Sequence, residues 1–359
     1  MISDTQRRRL RRLPAEWEAQ QGVIVSLPDE SMDWSYMLPE IHECYRRIVE
    51  ALVTTGSNVT VLAQDVAKAL EVLQDVGQRN IRYVEVPLND TWVRDYGPLT
   101  VSELSRRSGR LRLAALDCGF NGWGLKFAAD KDNLATLRLH EADRLFSLKY
   151  HNCRGYEIEG GSIESDGKGT ILTTTRCLCS PNRNGGLSKD EVAVHLNALF
   201  GADHILWLDH GALEGDDTDS HIDTLARLCP EDTILYTGCS DTDDSHYVEL
   251  AAMKDQLLHF RTLSGEQFNL IELPLPDAIQ DEDDGHRLPA TYCNYLVTDN
   301  AVLVPSYAQP RKDELARKLV KVAYPDREVV SVDCRALIRQ HGSLHCATMQ
   351  IPAESVLKS

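Results

Sequence analysis

One thiol lies among imidazoles and small residues near the carboxyl end of the sequence, in residues 341–347. A cysteine acts as a nucleophile at neutral pH only where its surroundings favour the thiolate. Cys346 follows His345 directly, inside an otherwise strand-like run. We therefore predict Cys346 as the attacking atom, provided that earlier stretches supply the other groups that such a nucleophile needs.

Two carboxylates and an imidazole are the predicted partners of this thiol: Asp95, Asp223 and His221. Alternate residues of a strand face the same side, so His221 and Asp223 are expected to share one cavity. Paired carboxylates match the donor-only N–H groups of a planar cation such as a guanidinium. The pKa of an unperturbed imidazole, about 6.5, suits proton transfer at neutral pH.

Each of these residues has a commoner role when it is taken singly. Asp95 follows Arg94 and could form an ordinary ion pair, and His221 is one of 12 histidines, most of which would be structural. Glu159 is predicted to orient His221 and to stabilise its protonated form, but an edge carboxylate is about as probable. Trp92 could cover a cation with its aromatic face, or could simply belong to the core.

The marker residues recur at similar intervals along the chain. The spacings between successive markers are 64, 64, 71 and 52 residues. A strand with polar residues, a tight turn and an apolar strand repeat, with helical segments between them. Five such modules would be stable only when packed together, and a ring would point all the markers at one axis. The markers are Asp95, Glu159, Asp223, Asn294 and Cys346.

Hydrophobic periodicity predicts alternating helices and strands, which is typical of α/β proteins. No linker rich in proline, glycine or serine divides the chain, so one domain over residues 1–359 is expected, with a flexible segment at 1–12. Predicted strands cover 22–27, 59–62, 81–86, 99–101, 170–174, 233–236 and 301–304, and predicted helices cover 38–53, 65–76, 189–200, 247–257 and 313–322.

Composition excludes several classes of protein. The formal net charge of −17 argues against nucleic-acid binding and favours a cationic ligand by electrostatic steering. No apolar run reaches the roughly 18 residues of a membrane span, and no apolar signal core follows the basic start, so a cytoplasmic protein is expected. The 10 cysteines are dilute and lack framework spacing; nine are expected to be reduced core thiols, and no structural metal is predicted.

The motifs together resemble the guanidino-group-modifying enzymes of the pentein superfamily, and most closely the agmatine deiminase and bacterial peptidyl-arginine deiminase family. The resemblance runs from about residue 13 to the carboxyl end, and it implies a five-bladed α/β propeller with pseudo-fivefold ββαβ-type modules. The motifs are Leu13-Pro14-Ala15-Glu16-Trp17-Glu18, Trp92-x-Arg94-Asp95-x-Gly97-Pro98, Glu159-Gly160-Gly161-Ser162, Pro181-Asn182-Arg183-Asn184, His221-x-Asp223 and His345-Cys346.

The resemblance also implies roles for the marked residues. Cys346 would be the nucleophile and His221 the general acid and base, with the guanidinium held by Asp95 and Asp223 and His221 supported by Glu159. Trp92 and Asn294 would line the substrate path, and no metal or organic cofactor is implied. The expected reaction converts agmatine to N-carbamoylputrescine and ammonia. Thr224 and residues 341–344 depart from the family pattern, which leaves recognition of the substrate's far end open.

Four alternatives remain open from the sequence. A deiminase acting on arginine or peptidyl-arginine would use the same chemistry, and an amidinotransferase would replace water by an amine. A non-catalytic binding propeller would not need the thiol. A Cys–His peptidase is disfavoured, because paired aspartates would repel its oxyanion. A homo-oligomer is compatible with the sequence, since a partner copy could cap the edge of the site.

Overall fold

A computed structural model describes residues 11–105 and 110–353 of the chain, which fold as a mixed α/β protein. The predicted flexible segment 1–12 lies largely outside the described residues. Its last two residues, Arg11–Arg12, are described and pair as a short strand with residues 102 and 103. Arg11 and Arg12 therefore belong to a sheet, although the prediction placed them in the flexible segment.

The strands of the described residues form five separate sheets of three or four strands each. Sheet 1 contains β1 (Arg11–Arg12), β5 (Leu99–Leu104), β6 (Leu111–Gly119) and β7 (Lys149–Glu157). Sheet 2 contains β8 (Ile163–Ser165), β9 (Thr170–Thr174) and β10 (His204–Leu208), and sheet 3 contains β11 (Ala226–Cys229), β12 (Thr233–Gly238) and β13 (Asn269–Pro274). Sheet 4 contains β14 (Leu296–Val297), β15 (Ala301–Ser306) and β16 (Glu328–Asp333), and sheet 5 contains β17 (Thr348–Pro352), β2 (Gln20–Ser26), β3 (Val59–Ala63) and β4 (Ile81–Glu85).

All five sheets share one pairing pattern. An antiparallel pair comes first, such as β8 with β9, and a parallel strand follows it, such as β10 on β9. Antiparallel neighbours need only a tight turn, whereas a parallel neighbour needs a crossover connection, which here contains a helix. The crossover helices are Leu38–Thr54, Val66–Val72, Ala135–Glu141, Lys189–Phe200, Tyr247–His259 and Pro310–Ala323.

The strand and helix ranges predicted above are confirmed, with shifted ends, whereas the strand predicted to carry His221 and Asp223 is a turn. The helix predicted at 65–76 is shorter and covers Val66–Val72. Asp65 lies before its first residue and caps it by accepting hydrogen bonds from two backbone amides. Shorter elements were not predicted. They are the one-turn helices Val93–Tyr96, Gly122–Leu125 and Thr175–Leu178 and the 3-10 turns Gln78–Asn80, Asp132–Leu134, Gly160–Ser162, Ile222–Thr224 and Leu337–Gln340.

Sheet 5 joins the two ends of the described chain. Strand β17 pairs antiparallel with β2, and Thr348 lies opposite Val25. Residues from all five sheets contribute to one large apolar core, and a smaller core lies mainly around sheet 3 and the helix Tyr247–His259. Among the described residues, no helix combines the length and the apolar character that a bilayer span requires.

The five marker residues occupy equivalent places in this arrangement. Each lies in a turn or short helix a few residues before the strand that opens the antiparallel pair of its sheet. Side chains from five distant parts of the sequence are therefore presented from the same structural position. The pairs of marker and strand are Asp95 with β5, Glu159 with β8, Asp223 with β11, Asn294 with β14 and Cys346 with β17.

Candidate active site

Cys346 lies in the turn that precedes β17 and is 6% exposed. Its Sγ lies 3.8 Å from Oδ2 of Asp223. Burial, together with the carboxylates of Asp223 and Asp95, raises the pKa of the Cys346 thiol well above its ordinary value. In the free protein the neutral thiol is therefore favoured over the thiolate.

Asn294 fixes the turn that carries this thiol. Its Nδ2 donates to Sγ of Cys346 at 3.2 Å, while its Oδ1 accepts from the backbone N–H groups of His345 at 2.8 Å and Cys346 at 3.3 Å. A buried amide with both ends occupied holds one orientation. Asn294, predicted to line the substrate path, thus contacts the predicted nucleophile directly.

Three predicted site residues converge on Gly161, in the turn Gly160–Ser162. A Cβ at this position would lie 2.6 Å from Nδ1 of His221, 3.0 Å from Oδ1 of Asp95 and 3.1 Å from Oδ2 of Asp223. Real Cβ atoms do not approach other heavy atoms that closely. Only glycine allows the imidazole and both carboxylates to meet here.

Asp95 lies in the helix Val93–Tyr96 and is held from two sides. Its Oδ1 accepts from the backbone N–H of Gly161 at 2.9 Å, and its Oδ2 accepts from Nε1 of Trp123 at 2.9 Å. Burial raises the pKa of Asp95, and the neighbouring His221 lowers it in part. Arg94 does not form the ion pair with Asp95 that the sequence left open. Its guanidinium instead donates to the side chain of Gln350 at 2.6 Å and to the carbonyl of His345 at 3.3 Å.

Asp223 and His221 are brought together, but not by the predicted strand. Both belong to the 3-10 turn that contains Ile222–Thr224, with His221 as its amino-terminal cap, and strand β11 starts only at Ala226. The strand prediction was wrong because this run is apolar enough to resemble a strand. The turn that forms instead still brings the side chains of His221 and Asp223 together. Asp223 accepts from Nδ1 of His345 at 2.7 Å through Oδ2, and its buried Oδ1 has no hydrogen-bond partner among the described residues.

His221 is fully buried, and neither ring nitrogen forms a hydrogen bond. Its Nδ1 lies 3.7 Å from Oδ1 of Asp95 and its Nε2 lies 3.6 Å from Oε2 of Glu159. Burial alone would lower the pKa of His221, but Asp95, the neighbouring Cys177 and Glu159 raise it well above its ordinary value. A charged imidazole is therefore available next to the two aspartates.

Arg183, whose role the sequence did not predict, clamps the residues behind His221. Its Nε lies 2.9 Å from both oxygens of Glu159, its Nη1 donates to Asp219 at 2.6 Å and its Nη2 donates to the carbonyl of Thr218 at 3.0 Å. Asp219 and Ser220 both have positive φ angles, of 65° and 67°. The clamp thus holds a turn that only specific contacts can maintain. In the sequence, Arg183 was marked only by its place in the motif Pro181-Asn182-Arg183-Asn184.

A cleft of about 410 Å³, including its open mouth, leads from solvent to Cys346. Trp92 forms part of its wall and packs tilted on Trp34, with ring centroids 5.7 Å apart. Gly342 lies against the same indole, because a Cβ there would lie 2.3 Å from the ring of Trp92. Asp33, Asp90 and Asp217 also line the cleft, and sequence reasoning had not placed them at the site.

Two groups of buried side chains have donor atoms close enough to hold a metal ion. Glu159, Cys177 and His221 form one group, and Glu16, Glu164 and His345 form the other. In each group the carboxylates already pair with a buried guanidinium, Arg183 or Arg227. A fixed cation at that distance opposes metal binding. All ten cysteines fall within the described residues and are free thiols.

Cys346 and Asp95 line a narrow cleft, and the carboxylate of Asp223 and the imidazole of His221 lie next to them, an arrangement that can support covalent chemistry on a bound cation. The Porphyromonas-type peptidyl-arginine deiminase model matches residues 12–352, and the chain belongs to this family. An agmatine deiminase of Pseudomonas putida is 30% identical over 362 residues, covering 95% of each chain. One from Pseudomonas aeruginosa is 31% identical over 365 residues, also covering 95% of each chain.

The solved structures that resemble this chain include two agmatine deiminases. A cysteine-to-serine variant of the C. jejuni agmatine deiminase, with substrate bound, superposes with a TM-score of 0.86 at 36% identity, over 96% of each chain. The agmatine deiminase of Enterococcus faecalis gives a TM-score of 0.85 at 25% identity over 99% of each chain. A dimethylarginine dimethylaminohydrolase, at 14% identity and a TM-score of 0.51, shares the fold.

Proposed function

We propose that this protein hydrolyses the guanidinium group of agmatine, giving N-carbamoylputrescine and ammonia. The observation that carries the proposal is the convergence of His221, Asp95 and Asp223 around Gly161, with Cys346 beside Asp223 and with Cys346 and Asp95 lining one acidic cleft. Family membership supports the chemistry, and relatives of similar length named agmatine deiminase support the substrate.

The guanidinium lies between the two aspartates. Oδ1 of Asp223 is buried and without a partner, so a substrate N–H group satisfies an acceptor that is otherwise costly to bury. Asp95 is oriented by Trp123 and Gly161 and faces the same point. Sγ of Cys346, beside Asp223, is then close to the guanidinium carbon.

The substrate's own charge activates the nucleophile. In the free protein, burial and two carboxylates raise the pKa of Cys346. A bound cation neutralises those carboxylates and adds positive charge next to Sγ, which lowers the pKa of the thiol. Activation on binding confines the reactive thiolate to the complex with substrate.

The reaction proceeds in two halves through a covalent intermediate. The thiol of Cys346 gives its proton to solvent as the substrate binds, and the thiolate Sγ forms a bond to the guanidinium carbon. One C–N bond then breaks, and the imidazolium of His221 protonates the departing nitrogen, which leaves as ammonia. The substrate carbon is then held on Cys346 as a thiouronium. Water, deprotonated by His221, adds to this carbon, and the C–S bond breaks to release the ureido product and Cys346.

The far end of the cleft favours an amine over a carboxylate. Asp33, Asp90 and Asp217 line the cleft together with His341, and none of the described residues along its walls is a lysine or an arginine. An α-carboxylate, as in arginine, would meet three acids with no counter-charge, whereas the amine of agmatine pairs with them. This contrast supports agmatine over free arginine or a carboxyl-terminal arginine.

We further propose that the five sheets are arranged as a five-bladed α/β propeller and that residues 1–359 form one domain. The repeated ββαβ pairing and the equivalent placement of the five markers support this arrangement. It explains how residues so distant in sequence reach one axis. The cytoplasmic location and the oligomeric state remain predictions.

A parallel assay tests the proposed function. Purified protein is incubated with agmatine, free arginine and a peptide with a carboxyl-terminal arginine, and ureido product and ammonia are both measured. Agmatine is expected to give the highest kcat/KM, with equimolar products, and C346A is expected to be inactive while keeping its circular dichroism spectrum. Preference for either arginine substrate would reject agmatine, and substantial turnover by C346A would reject the nucleophile.

A further inference from the structure

His345, the residue before the nucleophile, occupies an unusual position between two acids. It is buried, its Nδ1 lies 2.7 Å from Oδ2 of Asp223, and its Nε2 lies 2.7 Å from Oε2 of Glu16. Ionised carboxylates only accept hydrogen bonds, so both ring nitrogens must carry hydrogen for both contacts to form. The imidazole is then a cation.

The surrounding carboxylates favour that cation, whereas the guanidinium of Arg227, which only donates hydrogen bonds, opposes it at Nε2. Arg227 donates to Glu16 at 2.8 Å and also pairs with Glu164, while its Nη2 lies 3.2 Å from Nε2 of His345. Three buried carboxylates therefore face one guanidinium, and a second positive charge on His345 reduces the imbalance. Although burial would raise the pKa of Glu16, His345 and Arg227 lower it far below its ordinary value.

Glu16 is itself fixed by the backbone of sheet 4. Its Oε1 accepts from the backbone N–H of Val297 at 2.7 Å. The amino-terminal motif 13–18, to which the proposed reaction gives no role, thus supplies a carboxylate to the residue next to Cys346. Glu16 and His345 also line a second cleft of about 500 Å³ that shares no lining residue with the substrate cleft.

We infer that His345 is a positioning residue, held as an imidazolium by Glu16, which keeps Asp223 ionised and leaves Oδ1 of Asp223 free for the substrate. The inference rests on the proposed function, because it assigns Asp223 to the guanidinium. Burial would raise the pKa of Asp223, but the hydrogen bond and charge of His345 lower it. Other titratable or charged groups that act on Asp223 are His221, Arg227, Cys346, Asp95 and Arg94.

The test compares the pH profiles of kcat/KM for agmatine in four variants and the wild type. H345N and H345Q remove the cation, E16Q removes its anchor, and E164Q is the matched control because Glu164 pairs with the same Arg227 but forms no hydrogen bond with His345. Thermal unfolding is measured for each variant, so that loss of the fold is separated from loss of positioning.

Loss of the cation raises the pH at which Asp223 ionises. The acid limb of the profile is expected to move upward by about 1 to 3 pH units in H345N and H345Q. KM is expected to rise at neutral pH and to recover at high pH. H345N, whose amide can replace the donor Nδ1, is expected to be the milder change. E16Q is expected to shift the limb less and in the same direction, and E164Q, which removes a carboxylate that forms no hydrogen bond with His345, is expected to shift it least.

A uniformly lower profile with an unmoved acid limb, in variants that unfold like the wild type, would overturn the inference. If neither His345 variant folds, the comparison of E16Q with E164Q decides. Equal acid limbs in the pH profiles of these two variants would count against the role inferred for His345. A wild type that releases no ureido product from agmatine is a different failure, because it rejects the proposed function itself. In that case the positioning role of His345 falls with it.

Discussion

In the proposed mechanism, the protonation state of Cys346 depends on what occupies the cleft. Two carboxylates beside a buried sulfur favour the thiol, and a planar cation between them reverses that preference. The site therefore selects its substrate by charge before any bond forms.

Affinity labelling tests this selection at a single residue. We expect 2-chloroacetamidine, a cation, to alkylate Cys346 at least about 10-fold faster at pH 7 than neutral 2-chloroacetamide, because an adjacent positive charge lowers a thiol pKa by about 1 to 3 units. Peptide mass spectrometry identifies the labelled cysteine, and rates with free cysteine correct for intrinsic reactivity. Equal corrected rates would show that the substrate's charge does not activate the thiol.

Asp90 is the acid that we expect to recognise the far end of the substrate. Its Oδ1 accepts from the backbone N–H of Thr91 at 2.7 Å and from Nε1 of Trp34 at 3.1 Å, which orients the carboxyl in the cleft wall. Burial raises the pKa of Asp90 to about 6. Its charge is therefore present above that pH and lost below it.

The change Asp90→Asn is expected to lower kcat/KM for agmatine roughly 10- to 150-fold, because a hydrogen bond to a charged group contributes about 1.5–3 kcal/mol. Butylguanidine, which lacks the amine, serves as the matched substrate and should change less than about threefold. Steady-state kinetics at pH 7.5 separate the two cases. An equal loss for both substrates would mean that Asp90 supports the cleft rather than recognising the amine.

At the scale of secondary-structure elements, turns rather than strands carry the side chains of the proposed active site. Residue types and spacing predicted Cys346, His221, Asp95 and Asp223, because a nucleophile and its partners need particular functional groups. The same pattern did not predict that His221 and Asp223 share a 3-10 turn. Local sequence hardly separates such a turn from the start of a strand, and tertiary contacts such as those of Arg183 decide it.

Residues that support the site were harder to predict than those expected to react. Trp123 orients Asp95 across 28 positions of sequence, and Glu16 reaches His345 across 329. No local period records contacts of that separation. Glu16 and Arg183 were indicated only by the motifs that contain them, and those motifs did not predict which residues each side chain would contact.

The close packing of Gly342 on Trp92 gives a prediction at this scale. A Cβ at 342 would lie 2.3 Å from the indole, which is already packed on Trp34. Gly342→Ala is expected to destabilise the protein by about 1–3 kcal/mol, as overpacking does, and to lower kcat by displacing the turn before Cys346. Gly155→Ala is the matched control, since nothing lies within 4 Å of its Cβ position. Denaturant unfolding of both variants provides the measurement.

Equal stability of Gly342→Ala and Gly155→Ala would mean that the indole of Trp92 moves aside at little cost. A stable Gly342→Ala with normal kcat would further show that the turn preceding Cys346 does not depend on this contact. The expected result instead links the wall of the cleft to the position of the nucleophile.

Across the whole molecule, the two ends of the described chain meet at the site. Strand β17, which follows Cys346, pairs with β2 near the amino end, and Glu16 contacts the residue before Cys346. The fivefold spacing of markers predicted the repeated modules, because each module must bury an apolar face against its neighbours. It did not predict that sheet 5 would combine strands from both ends, since pairing across more than 300 residues leaves no periodic signal.

The net charge of −17 and the acidic cleft together predict how fast substrate arrives. A negative field concentrates cations and speeds their encounter with the site, and salt screens it over a Debye length that falls from about 30 Å at 0.01 M to about 10 Å at 0.1 M. We expect kcat/KM for agmatine, a dication, to fall as ionic strength rises over this range. The fall for butylguanidine, a monocation of similar length, should be clearly smaller, because steering scales with ligand charge. Steady-state kinetics in sodium chloride, with kcat followed separately, distinguish slower capture from slower chemistry. If both substrates respond alike, the salt acts on the protein rather than on the approach of the substrate.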